Sequence, residues 1–316
     1  NRAALDPYYQ RAERALRVQR PTWNQVAKAG GLWAASLAAA GRTCDRVPLA
    51  IDLARCIQAR WCHTGCIYGA KNSVITNYLS AAEGLGVEVM PNSEAELVSQ
   101  SLARPYRYVV KAAEIGANRQ PSGRTFDVEC KVLILAAGAM GNPPLLMRSR
   151  PTLPALSLRV GRHLGINGDH IAAVEYDERK VRDVLGLPGY GQIYKGNHIT
   201  TMSYDWWVGK PVDGTRFTLQ EIFLSPLAHA LYDDARPPSG EPSWWGLQKK
   251  AALSTFNNHI EILAMVEDTH DGDFLAPPPT GSHIRPNAGP VGIGPFRYSL
   301  SEQSVRVREA ADAAIR

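Results

Sequence analysis

No run of apolar residues in this sequence approaches the roughly 18 that a membrane-spanning helix needs. The densest stretch, residues 32–40, is rich in alanine and reads as an ordinary helix. Cysteine is scarce: five in 316 residues are too few for a disulfide scaffold. Charge of one sign is scarce too. The net charge of +5 is spread along the chain, and pairs such as Arg179-Lys180 and Lys249-Lys250 are too short for a nucleic-acid-binding stripe, so they read as solvated surface. There is no initiator methionine and no visible signal peptide, since Asn1 leads straight into a polar helical pattern; the chain is expected to begin downstream of its gene's start. A dinucleotide-binding turn needs three spaced glycines after a strand. Gly189-Tyr-Gly191 and Gly292-Ile-Gly294 come nearest, and both lack the third glycine. The acidic run from Glu267 to Asp273 lacks the spacing and terminal glutamate of an EF-hand and reads as a solvated hairpin turn. Internal repeats are absent.

What is present is ordinary in bulk: 45% apolar and 21% charged residues, with length for one large domain or two smaller ones. Tyr8, Ala12 and Leu16 recur at helical spacing and predict a helix over residues 1–18, started at Leu5-Asp6-Pro7; a second is predicted within 21–40. Residues 46–50 read as a short extended piece, and 87–90 as a strand between Gly86 and Pro91. Residues 106–112 and 125–128 predict antiparallel strands joined by a polar turn at 118–123. Residues 131–136 are apolar on both faces, which predicts a central parallel strand covered by helices on each side. A small-residue turn follows at Ala137, Gly138 and Gly141, then a helix opened by Pro143-Pro144. Such a turn lets backbone N–H groups approach a cofactor, and the helix N-terminus favours anionic groups; a plain strand–turn–helix corner is the other reading. Beyond residue 153 strand-like pieces at 171–176, 216–224 and 259–266 alternate with turns, and a polar helix is predicted over 301–315.

Residues 56–79, CIQARWCHTGCIYGAKNSVITNYL, hold three of the five cysteines, a small-residue turn (Gly69-Ala70-Lys71-Asn72) and an amphipathic segment suited to a buried helix face. This stretch resembles the glucose–methanol–choline (GMC) flavoprotein oxidoreductases, in particular their cholesterol-oxidase-like branch. LDPYYQRAERAL from Leu5, KVLILAAGAMGNPPLLM from Lys131 and GRHLGINGDH from Gly161 resemble further segments of that family, with Asn142 standing where Ser or Thr is common. The resemblance covers nearly the whole chain, yet only the middle of a family member. The family's first flavin-binding unit would precede Leu5, and its segment with a catalytic histidine would follow Arg316. A piece of a split, processed or longer protein is therefore expected.

The resemblance implies an α+β chain with an α/β part. Residues 1–160 would form an incomplete Rossmann-like FAD-binding domain, and 161–316 a substrate-binding domain with a mostly antiparallel sheet and flanking helices. Lys71, Asn72, Ser73 and Asn77 would line the flavin cleft, and Ala95 would meet adenine through its backbone amide. Ala137, Gly138 and Gly141 would contact the flavin, and Asn167 lies where the family's chain leaves the flavin domain.

Two clusters carry the chemistry. Glu221 is a lone acid in the apolar segment Arg216-Phe-Thr-Leu-Gln-Glu-Ile-Phe-Leu. By its residues alone it is a strand-edge carboxylate facing water; the resemblance implies an active-site glutamate pointing into a substrate cavity, the kind of group that burial tunes as a base. Cys56, Cys62 and Cys66 admit three readings. Their spacing resembles the three-iron, four-sulfur site of a flavin-dependent glucose dehydrogenase branch. Zinc with His63 is geometrically awkward, because His63 adjoins Cys62. Otherwise they are buried or disulfide-paired thiols pinning the loop. Asp169 and His170 read either as binding residues or as a structural hydrogen-bonding pair.

The first functional expectation is FAD-dependent oxidation of a bulky apolar alcohol, a sterol among the options, by hydride transfer to flavin N5 with Glu221 as proton acceptor. Trp206, Trp207, Phe217, Phe223, Tyr232, Trp244 and Trp245 suit an apolar cavity or a core equally. The alternatives are an electron-transfer or scaffold subunit carrying a cysteine-ligated iron–sulfur cluster beside a flavin-binding partner chain, and a flavin-free binding fragment. Nucleic acid is not an expected partner. The compartment is left open, leaning to the cytoplasm.

Overall fold

The computed structural model describes residues 2–59, 62, 65–118, 120–165, 167–177, 179, 199–208, 214–223, 246, 250, 259–270, 272–275 and 296–316. In chain order the elements are α1 (Arg2–Ala15), α2 (Lys28–Ala39), β1 (Asp45–Arg46), a π-helical turn (Ile75–Leu79) running into α3 (Ser80–Gly84), β2 (Ser93–Gln100), β3 (Tyr108–Ile115), β4 (Pro121–Cys130) and α4 (Gly138–Ser149). There follow β5 (His170–Glu175), β6 (Ile199–Ser203), α5 (Asp205–Val208), β7 (Phe217–Ile222), β8 (His259–Val266), β9 (Asp273–Phe274), β10 (Phe296–Arg297) and α6 (Glu302–Ile315). Mixed helices and antiparallel sheets give an α+β architecture. The chain divides into two units, one of Asn1–Val87, Gly168–Glu267 and Ser304–Arg316, the other of Glu88–Asn167 and Asp268–Gln303. The chain passes between them at Val87/Glu88, Asn167/Gly168, Glu267/Asp268 and Gln303/Ser304.

The first unit is built on a five-stranded antiparallel sheet in the order β1-β6-β7-β8-β5. Alternation along β7 sends Phe217, Leu219 and Glu221 to one face, and β8 adds Ile260, Ile262, Ala264 and Val266 beside them. That face is covered by α2 through Ala29, Leu32, Trp33 and Leu37, and by α6 through Val307, Ala311 and Ile315, both at helical spacing. Each fully buried aliphatic side chain here contributes about 1.5–3 kcal/mol. Phe217 stacks on Trp206 with ring centroids 5.4 Å apart, and the Arg42 guanidinium lies 5.0 Å from the centre of the Trp206 ring, so these two aromatics belong to the core. Phe223 is buried and Trp207 half-exposed; Tyr232, Trp244 and Trp245 lie outside the described residues.

The second unit pairs β2, β3 and β4 as an antiparallel sheet, with α4 packed on β2. The Ser149 hydroxyl at the end of α4 accepts the Val98 N–H at 2.8 Å, and Arg148 Nε donates to the Glu96 carbonyl at 3.0 Å, fixing helix to strand.

Three expectations fail in physical terms. Residues 131–136 form no strand, and Val132 and Ile134 are largely exposed: no strand among the described residues pairs with them, and an apolar run without a ladder has no reason to extend. The segment 74–79 turns as a π-helix and leaves Val74, Ile75 and Tyr78 outward rather than on a buried face. Residues 87–90 are likewise unpaired, the strand starting later at Ser93.

Candidate active site

Glu221 has no solvent exposure and sits one strand in from β8 on the helix-bearing face. Its carboxylate is reached by β6 through an irregularity in the ladder. Ile199 pairs with Ile222 and Met202 with Gln220, so Thr200 and Thr201 together oppose Glu221 alone. Two residues against one is a β-bulge, and it turns both threonines towards the helices, fully buried. The Thr200 hydroxyl donates to Glu221 Oε2 at 3.1 Å, while the Thr201 hydroxyl donates to the Gly30 carbonyl of α2 at 3.2 Å. Gly30 closes the site from above. A Cβ there would stand 2.4 Å from Thr200 Oγ1 and 3.1 Å from Glu221 Oε2. Nearby, burial pushes the Cys44 thiol up to about 11, despite help from Thr201 and the Met202 backbone. Glu221 is thus neither solvated nor at an edge; it ends beneath α2.

The expected flavin contacts fall in both units, and most of their donors are engaged. In the first unit Lys71 Nζ donates to the Cys62 carbonyl at 2.9 Å, the Ser73 N–H to Thr76 Oγ1 at 3.1 Å, and Asn77 Nδ2 to the Ser73 carbonyl at 3.2 Å. Asn72 differs: its backbone N–H is held by the Ala50 carbonyl, but its side-chain Nδ2 is buried with no hydrogen-bond partner. A buried amide without an acceptor is costly unless something polar meets it. In the second unit the Ala137 N–H donates to Asn142 Oδ1 at 2.9 Å, and Asn142 Nδ2 returns to the Leu135 carbonyl at 3.2 Å. Asn142, where the family pattern has Ser or Thr, therefore staples the turn. Gly138 stands at φ +73° with open space where a Cβ would be, while one at Gly141 would meet Ala137 at 2.7 Å. Ala95 lies at a bulge of β2, its carbonyl 3.4 Å from Arg148 Nη2. Asn167 is exposed at φ +69°, its N–H donating to Asp268 at 3.0 Å. The orphaned Asn72 amide fits a polar group of a bound cofactor.

Cys56, Cys62 and Cys66 line a cavity of about 640 Å³ together with Ile57, Ile67 and Tyr68. All five cysteines are free thiols, and no group of three ligating side chains that could hold a metal ion occurs among the described residues. The free thiols set aside the disulfide expectation, and Cys56 lies within electrostatic reach of both Cys62 and Cys66. His63 lies outside the described residues. The thiols differ chemically. Burial raises Cys66, but the backbone N–H groups of Lys71, Ala70, Tyr68 and Gly69 outweigh it and hold the thiol below its ordinary range; burial dominates at Cys56 and raises it.

The acidic run expected to be solvated holds a buried residue. Asp268 accepts the Asn167 N–H and the Tyr298 hydroxyl, each at 3.0 Å, within the second unit. His170 Nε2 lies 3.1 Å from Asp312 of α6. Thr200, Gly30 and Asp268 carried no sequence signal, since a bulge leaves no mark on hydrophobic alternation.

The family model described as GMC oxidoreductase matches residues 1–164. Among curated proteins, cholesterol oxidase from two strains of Mycobacterium tuberculosis is 36% identical over 121 residues, covering 37% of this chain and 20% of the relative. Long-chain-alcohol oxidase FAO4B of Arabidopsis thaliana is 24% identical over 231 residues, covering 68% of this chain and 26% of the relative. The chain spans about a fifth to a quarter of the length of the curated relatives it matches.

Proposed function

Because the chain belongs to the GMC oxidoreductases, a family that binds FAD, we propose that it forms the central part of an FAD-dependent enzyme oxidising a bulky apolar alcohol, sterols included. Two relatives, a cholesterol oxidase and a long-chain-alcohol oxidase, share by name an alcohol on a large apolar body, which supports that substrate class. FAD, when bound there, would supply the hydride acceptor for the alcohol carbon. The family resemblance supports Lys71, Asn72, Ser73, Asn77, Ala95, Ala137, Gly138, Gly141 and Asn167 as the residues that would hold it. The glycine fingerprint for the pyrophosphate and the catalytic histidine come, in this reading, from the rest of a longer or split protein.

The single observation that carries the chemistry is Glu221. A carboxylate kept out of water within an apolar strand has few structural justifications, since burying it costs more than an isosteric apolar residue would. Its role is to accept the hydroxyl proton as the alcohol carbon loses hydride. In the complete enzyme Glu221→Gln keeps size and hydrogen-bonding capacity but removes the base, so turnover falls by about 10²–10⁴. Flavin absorbance stays unchanged. Wild-type turnover in that variant would remove Glu221 from the mechanism.

A further inference from the structure

The β6 bulge does something the sheet alone does not need. A regular ladder would set one residue opposite Glu221; here two threonines occupy that place, and their hydroxyls divide the work. Thr201 ties β6 to the Gly30 carbonyl, and Thr200 is left to donate to Glu221 Oε2 at 3.1 Å. Gly30 allows α2 to come close enough to press on both atoms, which a side chain there would prevent. Among the described residues, β6 presents Thr200, Thr201 and Ser203 on this side and β8 presents Ile260, Ile262 and Ala264; His170 of β5, in register with Ala264, is engaged by Asp312 of α6, and Lys28 of α2 is exposed. Cys44 is an ionisable neighbour, and its thiol stays protonated at neutral pH.

We infer that Thr200 is a positioning residue for the reaction, holding Oε2 of Glu221 in one orientation and keeping the carboxylate ionised against its burial. The inference rests on the reading of Glu221 as the base. A hydroxyl donating to a carboxylate favours the charged form. Removing that donor raises the pH at which the base loses its proton, so the acid limb of the pH–rate profile moves up.

The test uses the complete flavin-loaded enzyme with Thr200→Val, near-isosteric but without a donor, and Thr200→Ser, which keeps the hydroxyl. For Thr200→Val the acid limb of kcat shifts up by about one pH unit, activity below the limb falls about tenfold, and the high-pH plateau is largely retained. Thr200→Ser restores the wild-type profile. If the valine variant fails to hold flavin, Thr200→Ala replaces it in the same comparison. An unmoved limb, or a loss equal at every pH, overturns the inference while an inactive Glu221→Gln leaves the base in place. A fully active Glu221→Gln overturns both.

Discussion

Gly30 and Gly31 stand side by side in α2 under opposite constraints. An added Cβ at Gly30 collides with Thr200 and crowds Glu221, whereas at Gly31 it meets nothing within 4 Å. Alanine is the better helix former by about 1 kcal/mol at either position. At Gly31 that gain is realised, so Gly31→Ala raises the melting temperature. At Gly30 overpacking costs about 1–3 kcal/mol and displaces the Thr200 hydroxyl, so Gly30→Ala lowers it. Thermal melts of the two variants beside wild type read both signs. The thiols make a second contrast. Cys66, held below its ordinary range by backbone N–H groups, is alkylated by iodoacetamide at neutral pH well before Cys44, which burial holds near 11. Peptide mapping of a timed reaction checks the order; equal rates would contradict it.

Among the elements, α6 is anchored to the sheet by apolar packing and by a polar pair, His170 and Asp312. The Asp312 carboxyl is held below its usual range first by the His170 hydrogen bond, with Arg316 helping. A depressed carboxylate stabilises the fold above its unfolded pKa, and that contribution is lost as pH falls through the folded value. Partial exposure keeps it under about 1 kcal/mol. Asp312→Asn is therefore slightly less stable than wild type at neutral pH, and the gap closes as acid titrates the native carboxylate. Denaturant melts at neutral pH and near pH 3 compare the two. Much of this layer was legible in advance. β8 falls over the predicted residues 259–266, and β5, β7, α2 and α6 lie close to their predicted spans, because burial on one face imprints a period. Residues 131–136 show the limit. Their apolar pattern is that of a central strand, but a strand exists only with neighbours, and composition cannot report whether neighbours are present. Glu221 was picked out by resemblance, and its surroundings were not: Thr200 owes its place to a one-residue irregularity, and Gly30 to a helix that approaches from far away in the chain.

For the molecule as a whole the cofactor is the decisive observable. The complete protein is expected to show a two-banded visible spectrum that bleaches with dithionite, and a colourless preparation would remove FAD and the role given to Glu221. A broad shoulder without flavin bands would return attention to the cysteine-lined cavity. The interleaving of the two units bears on how such a chain is made. Each unit is assembled from separated stretches, and the first needs Ser304–Arg316 to cover its sheet beside α2. During synthesis from the amino end, the strands Ile199–Ser203, Phe217–Ile222 and His259–Val266 leave the ribosome before α6 exists. Their apolar face, Leu219 and Ile262 included, waits half-covered until α6 emerges, an interval in which nascent chains are exposed to aggregation and to chaperone capture.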